Sequence, residues 1–68
     1  MIRITGNYDN DKLLMDEIAE AQAKERPVRV EVEDQKYWGV VKEFDPTFDL
    51  EKGQPVWMAV LEDVRAAD

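Results

Sequence analysis

The sequence predicts an α+β fold: one N-terminal helix packed on a strongly bent antiparallel sheet of about four strands, in the order β-α-β-β-β. Three observations predict it. A run of strong helix formers between residues 10 and 25 carries one apolar stripe and stops at Pro27. "VRVEVE", residues 28–33, alternates apolar and polar without a fault, the period of a half-buried strand. Two later segments, "KYWGVVKEF" (36–44) and "VWMAVLEDV" (56–64), are apolar on both faces, which a flat sheet under a single helix does not satisfy.

Taken in order, "IRIT" (2–5) alternates Ile2 and Ile4 with Arg3 and Thr5 and suits a short strand. Gly6-Asn7 breaks it. Asp9 and Asn10 are N-cap candidates, and Asp9, Asp11 and Asp16 complement the positive end of a helix dipole. Within the helix, Leu14, Ile18 and Ala21 fall at i, i+4 and i+7, flanked by Met15, Ala19 and Gln22. The far side carries Glu17, Glu20 and Lys24, with Glu20 and Lys24 in the favourable i,i+4 order. A tight turn at Asp34-Gln35 then pairs Val32 with Tyr37 and Val30 with Gly39. That register puts Val28, Val30, Val32, Tyr37 and Val41 under the helix and Trp38, Val40 and Phe44 on the opposite face. "DPTFDLEKGQP" (45–55), with Pro46, Gly53 and Pro55, reads as a long loop. Along 56–61, Val56, Met58 and Val60 oppose Trp57, Ala59 and Leu61, and "RAAD" is a tail.

A chain of 68 residues is expected to form a single domain, 1–68, at the size where one core is marginally sufficient. With no cysteine, no disulfide or Cys-based metal site supports it. At 44% hydrophobic and 37% charged residues it is expected to fold. "MIRIT" leads directly into "GNYDND" without an apolar h-region, and no run approaches a membrane span, so a cytoplasmic setting is expected.

The two doubly apolar strands bear on function. Leaving a large side chain in water forgoes about 1.5–3 kcal/mol, so both faces are expected to be covered. Either the sheet curls into a small β-barrel or the second face is an interface. The apolar candidates for partner binding are Trp38, Val40, Phe44 and Trp57. Glu31, Glu33, Asp34 and Glu43 form an acidic rim around them.

Catalysis has little to work with. The chain contains no His, Cys or Ser, which removes the usual nucleophile–base pairs, the commonest zinc ligands and the ordinary base near neutral pH. No enzyme activity, cofactor, metal or small-molecule ligand is expected. Asn7, Asp9 and Asp11 have the spacing of a calcium loop's first half, but Lys12 and Ile18 stand where that loop needs glycine and glutamate. Helix capping accounts for the three. Asp45, Asp49 and Glu51 read as turn-forming and solvated loop acids. Gly39 inside a strand marks a bend, a bulge or a close backbone approach.

"VRVEVEDQKYWGVVKEFDPTFDL" resembles the first motif of Sm-like RNA-binding proteins, with an alternating strand, a turn, Gly39, Val41, Phe44, Asp45, Phe48, Asp49 and Leu50 in matching order. The resemblance covers about a third of the chain and implies a strongly bent sheet. It departs from the family pattern at Gln35, where the turn glycine belongs, in a turn one residue shorter, and at Asp49, where the base-contacting loop has Asn. The second motif, with its Arg-Gly pair, is missing.

Net charge settles the class of partner expected. At −7, spread along the chain, it opposes binding to phosphate backbones and favours solubility and attraction to basic surfaces. The expected function is a small acidic, non-enzymatic protein-binding module docking on a basic protein surface, as phage-type inhibitors and nucleic-acid mimics do. The alternative is a structural or assembly subunit, of a phage particle or another complex, that works as a homo-oligomer. Neither nucleic acid nor membrane is an expected partner.

Overall fold

The computed structural model describes residues 1–67, arranged as β1 (Ile2–Asn7), α1 (Lys12–Ala23), β2 (Val28–Val32), β3 (Gln35–Asp49) and β4 (Gln54–Ala67). The four strands form one antiparallel sheet in the order β1-β4-β3-β2. β1 and β2 are its two edges and do not pair with each other, so the sheet is open and the barrel alternative is not the one adopted.

The helix covers one face. Ile18 and Ala21 are buried, with Leu14 and Met15 packed beside them, as the i, i+4, i+7 stripe predicts. Beneath lie Val28 and Val30 of β2 and Trp57, Ala59 and Leu61 of β4. The helix start differs from expectation. Its N-cap position is Asp11, with no side-chain cap bond. Asp11 Oδ2 instead accepts from the Asn7 N–H at 2.7 Å, while Asn7 Oδ1 accepts from the N–H groups of Asp9 (2.7 Å) and Asn10 (3.2 Å). The acidic-looking "NYDND" is therefore a pair of interlocked side-chain-to-backbone turns.

The β2–β3 turn is Glu33-Asp34, one residue earlier than the sequence suggests. Both residues have positive φ, 50° and 67°, as a two-residue hairpin turn matched to strand twist requires. Val30 consequently pairs with Tyr37 and Val28 with Gly39. Moving a two-residue turn by one position shifts pairing by two residues, so the faces of β2 and the first half of β3 stay as expected.

The long loop expected over 45–55 is mostly strand. β3 continues through Pro46 to Asp49 and β4 resumes at Gln54, leaving a turn of residues 50–53. Asp49 closes it: its Oδ1 accepts from the N–H groups of Glu51 and Lys52, and its carbonyl accepts from Gly53 at 2.7 Å. Pro46 is tolerated because β2 pairs with β3 only as far as Gly39. Beyond that row β3 has no strand on its outer side, and a residue without an N–H forfeits no ladder bond there. Of the expected tail, Arg65, Ala66 and Ala67 extend β4, with Ala67 paired to Lys36, and Asp68 lies outside the described residues.

Two bulges reshape the long β3–β4 hairpin. Asp63 and Val64 stand opposite the single Gly39, with Asp63 in a left-handed conformation at φ 52°. A Cβ on Gly39 would lie 2.9 Å from the Leu61 side chain, so the glycine also serves close packing. Lys42 is the extra residue of the second bulge, between the pairs Val41–Leu61 and Glu43–Val60. It returns Phe44 to the helix side, opposite Ala59, although Val41 already lies on that side.

A candidate protein-docking face

Facing away from the helix, β4 presents Val56, Met58 and Val60. The cross-strand register flanks each with polar neighbours: Asn7 and Thr47 beside Val56, Thr5 and Asp45 beside Met58, Arg3 and Glu43 beside Val60. Val56 is buried, and Met58 and Val60 are half-buried. The stripe continues through half-buried Val40, which pairs with Glu62, to Trp38, which is 45% exposed.

Trp38 lies in the cross-strand row Arg29–Trp38–Arg65. It also separates two shallow clefts. One, of about 530 Å³, is walled by Pro27, Val40 and Ala66, with Arg26, Asp63 and Arg65 at its rim. The other, of about 540 Å³, lies toward Glu17, Glu20 and Arg29, and again includes Arg26. Three of the chain's four arginines thus surround one exposed indole in an acidic protein. Tryptophan and arginine are the side chains most often found carrying interface energy.

The structure divides the eight candidate residues. Trp38 and Val40 are on the helix-free face as expected. Trp57 is not accessible to a partner: it is 1% exposed, in the core under the helix, with the Phe44 ring 5.9 Å away in a tilted arrangement. Phe44 is half-buried against the same core because the Lys42 bulge turns it inward. The acids are not brought together. Glu33 and Asp34 form the hairpin tip, Glu31 pairs with Lys36, and Glu43 lies on β3 beyond the second bulge. Lys36 and Lys42 fall between these acids along β3.

Met58, Val60, Arg29 and Arg65 complete the face, and the sequence does not single them out. Alternation along β4 does place Met58 and Val60 together, but without saying which side the helix takes. Arg65 belongs to "RAAD", a segment whose composition reads as a tail.

Two exposed groups, Glu20 and Lys42, have shifted pKa values. Glu20 accepts a hydrogen bond from Lys24 Nζ at 2.7 Å, and this bond, with the charges of Lys24 and then Arg26, holds its carboxyl below the usual glutamate range. A hydrogen bond to Glu62, 3.0 Å away, and the charge of that carboxylate raise the Lys42 pKa. Among the described residues there is no cluster of three or more potential metal-ligating side chains, and no helix is long and apolar enough to cross a membrane. No family model, no curated protein and no solved structure matches this chain.

Proposed function

We propose that the chain is a small acidic, non-enzymatic protein-binding module that docks through the helix-free face of its sheet. The observation that supports this most directly is Trp38, 45% exposed at the end of an apolar stripe on a face with no second layer. Burying a side chain of that size at the centre of a contact supplies binding energy that a polar surface does not. The net charge of −7 favours a basic protein as partner, in a cytoplasmic setting, with carboxylates standing where that partner receives phosphates. Glu43, beside the stripe, and Glu31, Glu33 and Asp34, along the hairpin, would supply them. Phage-type inhibitors and nucleic-acid mimics are the class this reading points to.

The test is a titration of a basic DNA-binding protein into the chain, followed by sedimentation and stopped-flow light scattering at low and moderate salt. A salt-sensitive complex weakened by Trp38→Ala and formed more slowly by Glu31→Lys/Glu33→Lys is the expected result. Binding that is indifferent to Trp38→Ala would remove the docking face from the account. A second reading, an assembly subunit working as a homo-oligomer, is favoured by a specific observation: the face is net positive around Arg29, Lys36 and Arg65 and net negative around Glu43 and Asp45.

A further inference from the structure

We propose that the occupant of the helix-free face is a second copy of this chain, related by a two-fold axis that lies between the two sheets and runs across the strands. This rests on the reading of that face as a docking surface and on the homo-oligomer alternative, with a second copy in place of a basic protein as the occupant.

The face is polarised along β3. One end carries the row Arg29–Trp38–Arg65, with Lys36 two residues from Trp38 on the same side of the strand and Glu31 paired across from it, a net positive set. At the other end, past the Lys42 bulge, β3 presents Glu43 and Asp45 beside Val60 and Met58 of β4, with Arg3 of β1 across from Glu43, so the carboxylates outnumber the arginine there. Val40 and Glu62 pair between the two ends. Among the described residues, Arg65 and Asp45 form no ion pair.

Two face-to-face arrangements with two-fold symmetry are available. An axis along the strands places each row over the same row of the second copy, setting arginine against arginine. An axis across the strands keeps β3 over β3 and β4 over β4 while reversing their direction. The Arg29–Trp38–Arg65 row of one copy then lies toward Glu43 and Asp45 of the second copy, and the reverse contact forms at the other end. An isologous contact makes every complementary pair twice. Val40 lies between these ends and Val60 and Met58 lie beside the carboxylates; together they supply the apolar part of the contact. A charge of −7 on each copy opposes encounter at long range, so association must come from this local match.

Sedimentation equilibrium of the full chain over a range of concentrations, with acrylamide quenching of tryptophan in parallel, tests the proposal. The expected result is a concentration-dependent dimer in which Trp38 becomes shielded, Trp57 being buried already. Asp45→Lys and Arg65→Glu should each weaken dimerisation about tenfold or more through like-charge contacts, and the double variant should recover most of it. Circular dichroism confirms that each variant folds. A double variant no better than either single overturns the proposed geometry. A chain that stays monomeric at millimolar concentration, with Trp38 open to quencher, overturns the second copy as occupant; if the basic DNA-binding protein then shields Trp38, the docking face itself stands. A dimer that survives Trp38→Ala unchanged overturns both.

Discussion

The two tryptophans make the clearest comparison in the molecule. Each sits in a strand that is apolar on both faces, and locally "YWGV" and "VWMA" look interchangeable. Yet Trp57 is 1% exposed and Trp38 is 45% exposed. The difference comes from neighbours distant in sequence. Trp57 shares the helix side of β4 with Ala59 and Leu61, and its ring lies over Gly6 of β1, where the absent side chain leaves room. Trp38 points the other way, into a row with Arg29 and Arg65 and no covering layer. Alternation tells that a strand has two faces; the position of the helix decides which one is interior.

The sharpest way to break this comparison is to truncate each indole. Trp57→Ala should cost about 3–5 kcal/mol in urea denaturation, at the upper end for a core this small. Trp57→Phe should cost less than about 1.5 kcal/mol, because the buried Nε1 has no hydrogen-bond partner among the described residues and its removal relieves an unmet donor. A larger loss from Trp57→Phe would show that the cavity left by the smaller ring outweighs the relief of that donor.

Next in size is Gly6→Ala. A Cβ there would overlap the Trp57 ring, so a loss of about 1–3 kcal/mol is expected from overpacking. Near-neutral behaviour would mean that the ring moves freely, and Trp57 would not be the fixed centre of the core. Trp38→Ala should change stability by no more than about 1 kcal/mol while weakening association, as suits a side chain outside the core. If that variant unfolds readily while its hydrodynamics stay unchanged, Trp38 belongs to the core and the contrast fails.

Smaller effects are expected at two left-handed turn residues. Glu25 (φ 53°), just past the helix, and Asp34 (φ 67°), in the hairpin turn, adopt a conformation costly to any residue with a Cβ. Glu25→Gly and Asp34→Gly should each raise stability by about 0.5–1 kcal/mol in thermal melts, with Trp38 and Trp57 emission unchanged.

The smallest expected effect is on pH dependence. The folded pKa of Glu20 is lowered, so its contribution is full above the ordinary glutamate value. That contribution is lost as the pH falls through the depressed folded value. Glu20 is exposed, and the change should be slight, visible as a depressed titration midpoint by NMR that Lys24→Met returns toward normal.

Where the physics is local, the sequence was readable. The helix stripe of Leu14, Ile18 and Ala21 follows from 3.6-residue periodicity, and the alternation of β2 from period two. The β3–β4 connection was less so, because Pro46, Gly53 and Pro55 carry the same signature in a loop as at an unpaired strand edge. Which of the two holds depends on where β2 stops, a fact of tertiary pairing. Simple alternation puts Phe44 on the face away from the helix for a related reason. The extra residue at Lys42 reverses the alternation beyond it, and nothing within "VVKEF" announces a bulge.

By itself, then, the sequence determined one helix, four strands in the order β-α-β-β-β, an acidic surface and the lack of ordinary catalytic side chains. These are properties of composition and of short-range periodicity, which neighbouring residues set among themselves. Only the tertiary structure decided that the sheet stays open, that Phe44 and Trp57 are core while Trp38 faces outward, and that Arg29 and Arg65 flank it. Those outcomes depend on strand order, bulge position and the side on which the helix lands. Each is decided by contacts between segments far apart in the chain.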